Sequence, residues 1–386
     1  MGYAQRTGHL KPEGAYQVLA KANQLEAAGK EIIHFEIGQP DFDTFPNVSM
    51  AGIRAITEGR TRYTSPAGMP SLQKVIAEDC GRRRGIHIDP EEVVVGPGAK
   101  PALFFPTLAL VEPGDEVIYP DPGFPTYEAM IRVAGGVPVA VPLLEENSFS
   151  FDLAAFDRLV NKRTKLVIIN SPSNPTGGVM PLADLQHIAQ KALEYDFWIM
   201  SDEIYARIAY DGLAVPSITS IPGMQSRTII VDGFSKTYAM TGWRLGYGIM
   251  PRELADRVGL LLTHSIGSTA QFTQFAGVEA VLGQQEQVDA IVAEYQRRRN
   301  LIVDGLNAIP GIQCQKPEGA FYVFPNIKAT GMKSGELADL ILEKGGVALL
   351  PGSSFGAYGE GYLRLSYANT IKNIERGLER IQSVLK

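Results

Sequence analysis

The chain has only two cysteines, too few for the disulfide framework of a small secreted fold. Cys80 and Cys314 lie far apart and neither belongs to a CxxC pair, so the sequence offers no metal site. Both read as free thiols in a reducing compartment. Long apolar runs are also missing: stretches such as LFFPTLALV fall well short of the roughly 20 residues that span a bilayer. Basic charge is not in excess, since 36 Lys and Arg stand against 42 Asp and Glu, for a net charge of −6. A nucleic-acid binder needs a net basic face, so that class is excluded, and the triplet Arg82-Arg83-Arg84 reads as a solvated helix end. The opening residues, MGYAQRTGHLKPEG, are too polar for a secretory signal, and Arg6 breaks the myristoylation pattern. A cytoplasmic protein with no membrane and no nucleic-acid partner is expected.

What the chain does have is apolar mass, 45% of its residues, ample for a packed core. At about 150 residues per domain, its length suggests two domains. EEVVVGPG, DEVIYPDPG, KLVIINSPSN, FWIMSDE and RTIIVDGFSK each read as a short buried strand that ends in Gly, Pro, Ser, Asp or Asn. Helical patterns lie between them, such as LADLQHIAQKALEYD, where Leu182, Leu185, Ile188, Ala189 and Leu193 share one face. That alternation predicts an α/β domain with a largely parallel sheet. The ends differ. Residues 14–29 form one amphipathic helix closed by Gly29, and residues 284–308 form another. Short strands follow around GAFYVF, VALLPG and YLRLSYA, then a terminal helix, TIKNIERGLERIQSVL. A large domain over residues 46–283 is expected, with a smaller α+β domain built from residues 1–45 and 284–386.

Ligands of open α/β sheets bind beyond the carboxyl ends of the strands. Distinctive polar or small residues fall there repeatedly: Gly98, Ala99 and Lys100 after VVVGPG, Phe124 after VIYPDPG, Asn174 after LVIIN, Asp202 and Tyr205 after FWIMS, Ser235 and Lys236 after TIIVDGF. GPGAKP is a poor dinucleotide fingerprint, because Pro101 stands where Gly or Ala is required. It fits better as a small-residue turn that brings backbone N–H groups to one phosphate at a helix N-terminus. A lysine desolvated near other cations loses basicity and becomes a nucleophile for carbonyl carbon, which suits Lys236. A carboxylate one strand away, Asp202, can keep a pyridine nitrogen protonated. Ser235 and Arg244 can hold a phosphate, Phe124 can stack on a ring, and Asn174 and Tyr205 can bond a ring oxygen. Together these residues describe a site for pyridoxal phosphate.

In GQPDFDT, SPSNPTGG, SDEIY and SKTYAMTGWRLGY, taken in that order and spacing, the chain resembles the class I/II aminotransferases, within them the bacterial aspartate-aminotransferase-like subgroup. The resemblance runs almost end to end. It implies the type I fold, with a mostly parallel seven-stranded sheet flanked by helices, and a homodimer with shared sites. Lys236 matches the family's Schiff-base lysine, Asp202 its pyridinium partner, and Tyr205 and Asn174 the ligands of the phenolic oxygen. Ser235, Arg244 and the turn Gly98-Ala99-Lys100 match the phosphate ligands, and Phe124 the stacking aromatic. Arg364, Gly38 and Asn174 match the substrate-carboxylate contacts. Tyr63 matches a tyrosine given to the phosphate across the dimer interface. The implied reaction moves an amino group between an L-amino acid and a 2-oxo acid by a ping-pong mechanism. The same residues also serve relatives that run β-elimination on cysteine conjugates, which is the alternative; a non-enzymatic sensor domain of a transcription regulator, which adds an N-terminal DNA-binding domain, is not expected from the short, mostly helical stretch before GQPDF and the acidic balance.

Two features bear on the substrate. Lys100 stands where the subgroup reads a distal carboxylate, which favours aspartate or glutamate. The subgroup's KPSAT-type stretch, however, is KPEGA here. Ala15 has no side-chain donor, and Glu13 repels an anion if it faces the pocket. His264 is a candidate for the pocket border.

Overall fold

The computed structural model describes residues 2–8, 10 and 12–386. Its centre is an eight-stranded sheet. In spatial order the strands are Val93–Gly96, Gly246–Ile249, Thr228–Gly233, Trp198–Asp202, Thr164–Asn170, Glu116–Asp121, Val137–Leu144 and Ser150–Phe151. The five strands from Thr228–Gly233 to Val137–Leu144 pair in parallel. Gly246–Ile249 runs antiparallel to both of its neighbours. Seven strands match the expected sheet, and the two-residue Ser150–Phe151 adds an eighth at the edge.

The central strands are buried on both faces, which is why they read as unbroken apolar runs rather than alternating ones. Their carboxyl ends all open on one side, so Asn170, Asp202 and Gly233 arrive there together. Parallel pairing puts Asn170 directly beside Asp202.

The termini meet. Ile33–His34 pairs in parallel with Val347–Ala348, so the N-terminal segment packs on the C-terminal part. Leu363–Ser366 lies between Tyr322–Val323 and Leu350–Pro351 in a three-stranded antiparallel sheet. Helices frame it: Gly14–Ala27, Glu286–Asn307, and Ile371–Leu385, which starts where the Thr370 side chain accepts the N–H of Asn373. Among the described residues no helix is long and apolar enough to cross a membrane, and no cluster of His, Cys, Asp or Glu could hold a metal ion.

The arginine triplet departs from its sequence reading. Only Arg82 is solvated; Arg84 is buried at the end of helix Pro70–Arg84 and pairs with Glu203 at 2.6 Å. Glu203 also accepts hydrogen bonds from Ser201 (2.9 Å) and Ser217 (2.6 Å), so both charges are satisfied inside the protein. The pair ties a helix to the residue next to Asp202. Removing Glu203 leaves the buried Arg84 with the more distant Asp232, 3.9 Å away, as its counter-charge, so Glu203→Ala should cost about 3 kcal/mol, the low end for breaking a buried pair, in urea denaturation. A loss below about 1 kcal/mol would contradict this anchoring role.

Candidate active site

A cavity of about 760 Å³ opens at the strand ends. All the site residues singled out from the sequence line it except Gly98, Tyr63 and His264. Lys236 lies in the one-turn helix Phe234–Thr237 that follows Thr228–Gly233. Its Nζ donates to the Gly38 carbonyl at 2.6 Å. Burial, aided by the positive charges of Arg364 and Arg244 and opposed by Asp202, lowers its pKa to about 8. An ordinary lysine near 10.5 would hold roughly 300-fold less neutral amine at pH 7. The site therefore contains an amine fit to act as nucleophile or base.

Asp202 is buried at the end of its strand. Tyr127 donates to its Oδ2 at 2.7 Å, and the Ile204 N–H reaches its Oδ1 at 3.3 Å. Burial nevertheless lifts its pKa to about 6. Among the described residues no ion pair satisfies this carboxylate. Tyr205 bonds the Tyr322 hydroxyl at 2.7 Å. The Arg364 guanidinium stacks 4.6 Å over Tyr322 and donates through Nη2 to the Glu36 carbonyl, while its buried Nε has no partner among the described residues. The Asn174 side-chain oxygen is likewise buried without one.

The turn at Gly98 meets Arg244. Gly98 has φ +90°, and a Cβ there would come within 2.2 Å of Arg244 Nη2, so only glycine lets the two approach. Arg244 itself sits at φ 52°, a strained conformation for a residue with a side chain. Its guanidinium rests on the Thr241 carbonyl at 2.9 Å. Ala99 caps helix Lys100–Leu110, whose N-terminus faces the cavity alongside Ser235 and Arg244. Phe124 lies in the wall, with Lys100 Nζ 5.4 Å over its ring.

Three residues of the site carried no sequence signal. Tyr127, Tyr322 and Glu36 belong to none of the motifs singled out above. Only the fold shows that Tyr127 holds Asp202 and that Tyr322 braces Tyr205 and Arg364. Tyr63 lies away from the cavity, 95% exposed, and His264 is exposed at the end of helix Arg252–Thr263 without lining the cavity.

Comparison with known proteins gives this arrangement its family. The profile of "Aminotransferase class I and II" matches residues 30–381. The chain belongs to the class I and II aminotransferases. Relatives of this aminotransferase include a probable aspartate/prephenate aminotransferase of Aquifex aeolicus, 40% identical over 100% of this chain and 99% of that protein. An aromatic-amino-acid aminotransferase of Thermococcus litoralis is 38% identical, again over 100% and 99%. Among solved structures, the aspartate aminotransferase of Thermus thermophilus with maleate superposes with a TM-score of 0.95 at 38% identity, covering 100% of both chains. The α/β fold and the aminotransferase activity expected from the sequence motifs stand on these matches. Enzymes of the family depend on pyridoxal phosphate and use amino acids and 2-oxo acids.

Proposed function

We propose that this aminotransferase holds pyridoxal phosphate at Lys236 and exchanges an amino group between an L-amino acid and a 2-oxo acid in two alternating half-reactions. The observation that carries the reading is the Lys236 amine, lowered to about pKa 8 and 2.6 Å from the Gly38 carbonyl in a cavity shared with Arg364.

The residues present fit the cofactor. Asp202 is a buried carboxylate without a cation, as a protonated ring nitrogen requires. The Gly98-Ala99-Lys100 turn, Ser235 and Arg244 supply N–H, O–H and guanidinium donors suited to one phosphate. Phe124 offers a face to the ring, and Tyr205 and Asn174 offer polar atoms to its oxygen. When bound, the cofactor supplies an electron sink for the carbon that loses a proton. Arg364 then forks the substrate α-carboxylate, helped by Asn174 and the Gly38 backbone. Neutral Lys236 Nζ would take the proton from the donor's α-carbon and, in the second half-reaction, deliver one to the α-carbon of the amino acid formed from the 2-oxo acid. The cofactor domain spans residues 46–283 in this reading, with a smaller domain from residues 1–45 and 284–386.

We read the active unit as a homodimer. Tyr63 is exposed, yet its neighbours are fixed: the Arg62 N–H bonds Gln271 at 3.2 Å and the Thr64 N–H bonds Ser268 at 3.3 Å. A rigidly presented outward tyrosine supports a role in the phosphate site of a second copy.

The test is competitive acylation of the cofactor-free chain with a small neutral reagent, followed by peptide mapping. Neutral amine increases with pH through the pKa, so labelling of Lys236 should rise to a midpoint near pH 8, about two units below exposed lysines. Bound cofactor should abolish it. A midpoint near 10, or labelling that persists with cofactor, would contradict the assignment.

A further inference from the structure

Four cations line the cavity: Lys236, Arg244, Arg364 and Lys100. The reading above gives the first three to the cofactor and the α-carboxylate. The fourth is already engaged, because Lys100 Nζ lies 2.5 Å from Glu13 Oε1. We propose that Glu13 determines the substrate class: by neutralising Lys100 it turns the site away from substrates with a second carboxylate and towards those with an uncharged side chain. The inference rests on the preceding reading of Lys236 and Arg364.

The placement of Glu13 is built in. It occupies the position just before helix Gly14–Ala27, where a carboxylate ordinarily accepts a hydrogen bond from the first turn. Its side chain makes no such bond and reaches across to Lys100 instead. The next residue fixes the approach. A Cβ at Gly14 would meet Ser354 Oγ at 2.6 Å, so glycine lets this segment press against another part of the cavity wall.

The electrostatics follow. A distal carboxylate that approached Lys100 would meet Glu13 at nearly the same range, and attraction and repulsion would largely cancel. It would give up its hydration for no net partner. An uncharged side chain loses little on entering, and Ala15, Tyr16, Leu19 and Ile37 offer it apolar surface in the same wall. The ion pair does little for stability. Lys100 is 52% exposed and Glu13 28%, and rim pairs of that kind contribute little to folding. Variants at either position should therefore fold.

The experiment is a double-mutant cycle on the cofactor-loaded enzyme, using Glu13→Gln, Lys100→Ala and both together, with Glu13→Ser as a second probe of position 13. Two quantities are read: kcat/KM for aspartate relative to methionine, and the Kd of maleate from the cofactor absorbance. Wild type should favour methionine. Each Glu13 variant should raise the aspartate/methionine ratio and tighten maleate by at least about tenfold, the low end for a hydrogen bond to a charged group. Adding Lys100→Ala to Glu13→Gln should erase both gains. The inference is overturned if wild type favours aspartate, if both Glu13 variants stay within about twofold of wild type, or if the gains survive loss of Lys100. A chain that shows no cofactor absorbance, or reacts with no amino acid, contradicts the Lys236 reading itself and takes the inference with it.

Discussion

Lys236→Ala is expected to lower turnover by ~10⁴-fold or more, the upper end of what one positioned acid–base group contributes. The substitution removes two functions at once. The side chain is a buried cavity amine with a lowered pKa, so it is both the group able to join a carbonyl carbon and the base placed beside the Gly38 backbone. Lys100 cannot replace it, because Glu13 holds that ammonium. The fold should survive, since desolvating the ammonium works against folding and the methyl of alanine carries no such penalty. The check is steady-state kinetics together with the absorbance of the cofactor-loaded chain. Turnover within about tenfold of wild type would mean that another residue carries the proton.

Asp202→Asn should keep the cofactor bound yet slow α-proton removal by about 10²–10³-fold, the range for losing one preorganised electrostatic contact. Asparagine has nearly the same shape: its one oxygen can keep the Ile204 N–H, and the Tyr127 hydroxyl can turn to accept from its amide N–H. What disappears is the negative charge that keeps a ring nitrogen protonated. Asp202 in the cofactor-free chain is lifted to about pKa 6 by burial, so a cation beside it would be strongly welcomed. The substitution leaves Ser235 and Arg244, the phosphate ligands proposed above, untouched. Single-turnover rates with a deuterated α-carbon separate this effect from binding. A near-normal rate, with cofactor retained, would remove Asp202 from the role.

The five strands of the large sheet that were legible in the sequence share one trait: an apolar run that stops abruptly at a polar or small residue. Two others were silent for identifiable reasons. Val137–Leu144 carries Pro138 and Pro142, which argue against a sheet interior; it tolerates them because its outer side is paired only at Leu143 and Leu144. Gly246–Ile249 carries two glycines in four residues, which weakens its strand signal. A Cβ at Gly246 would meet the Gly98 carbonyl carbon at 2.4 Å, so the strand needs glycine to let the turn at Gly98 pass. The site residues that lie at strand ends in sequence motifs were legible, because the fold gathers strand ends. Tyr127, Tyr322 and Arg84 were not, since an aromatic or a basic residue in a helix or strand gives no sign of the polar partner it meets across the chain. Glu13 falls between these cases: its departure from the subgroup pattern was visible, and its bond to Lys100, 87 positions away, was not.

The most direct test of the account is a half-reaction without an acceptor. The cofactor-loaded enzyme is mixed with a single amino acid, and 2-oxo acid and ammonia are counted against sites. The account predicts one 2-oxo acid per site, no ammonia, and resumption of turnover only when a second 2-oxo acid is added. Continuous release of ammonia, with no acceptor present, would contradict it and favour β-elimination on the same residues.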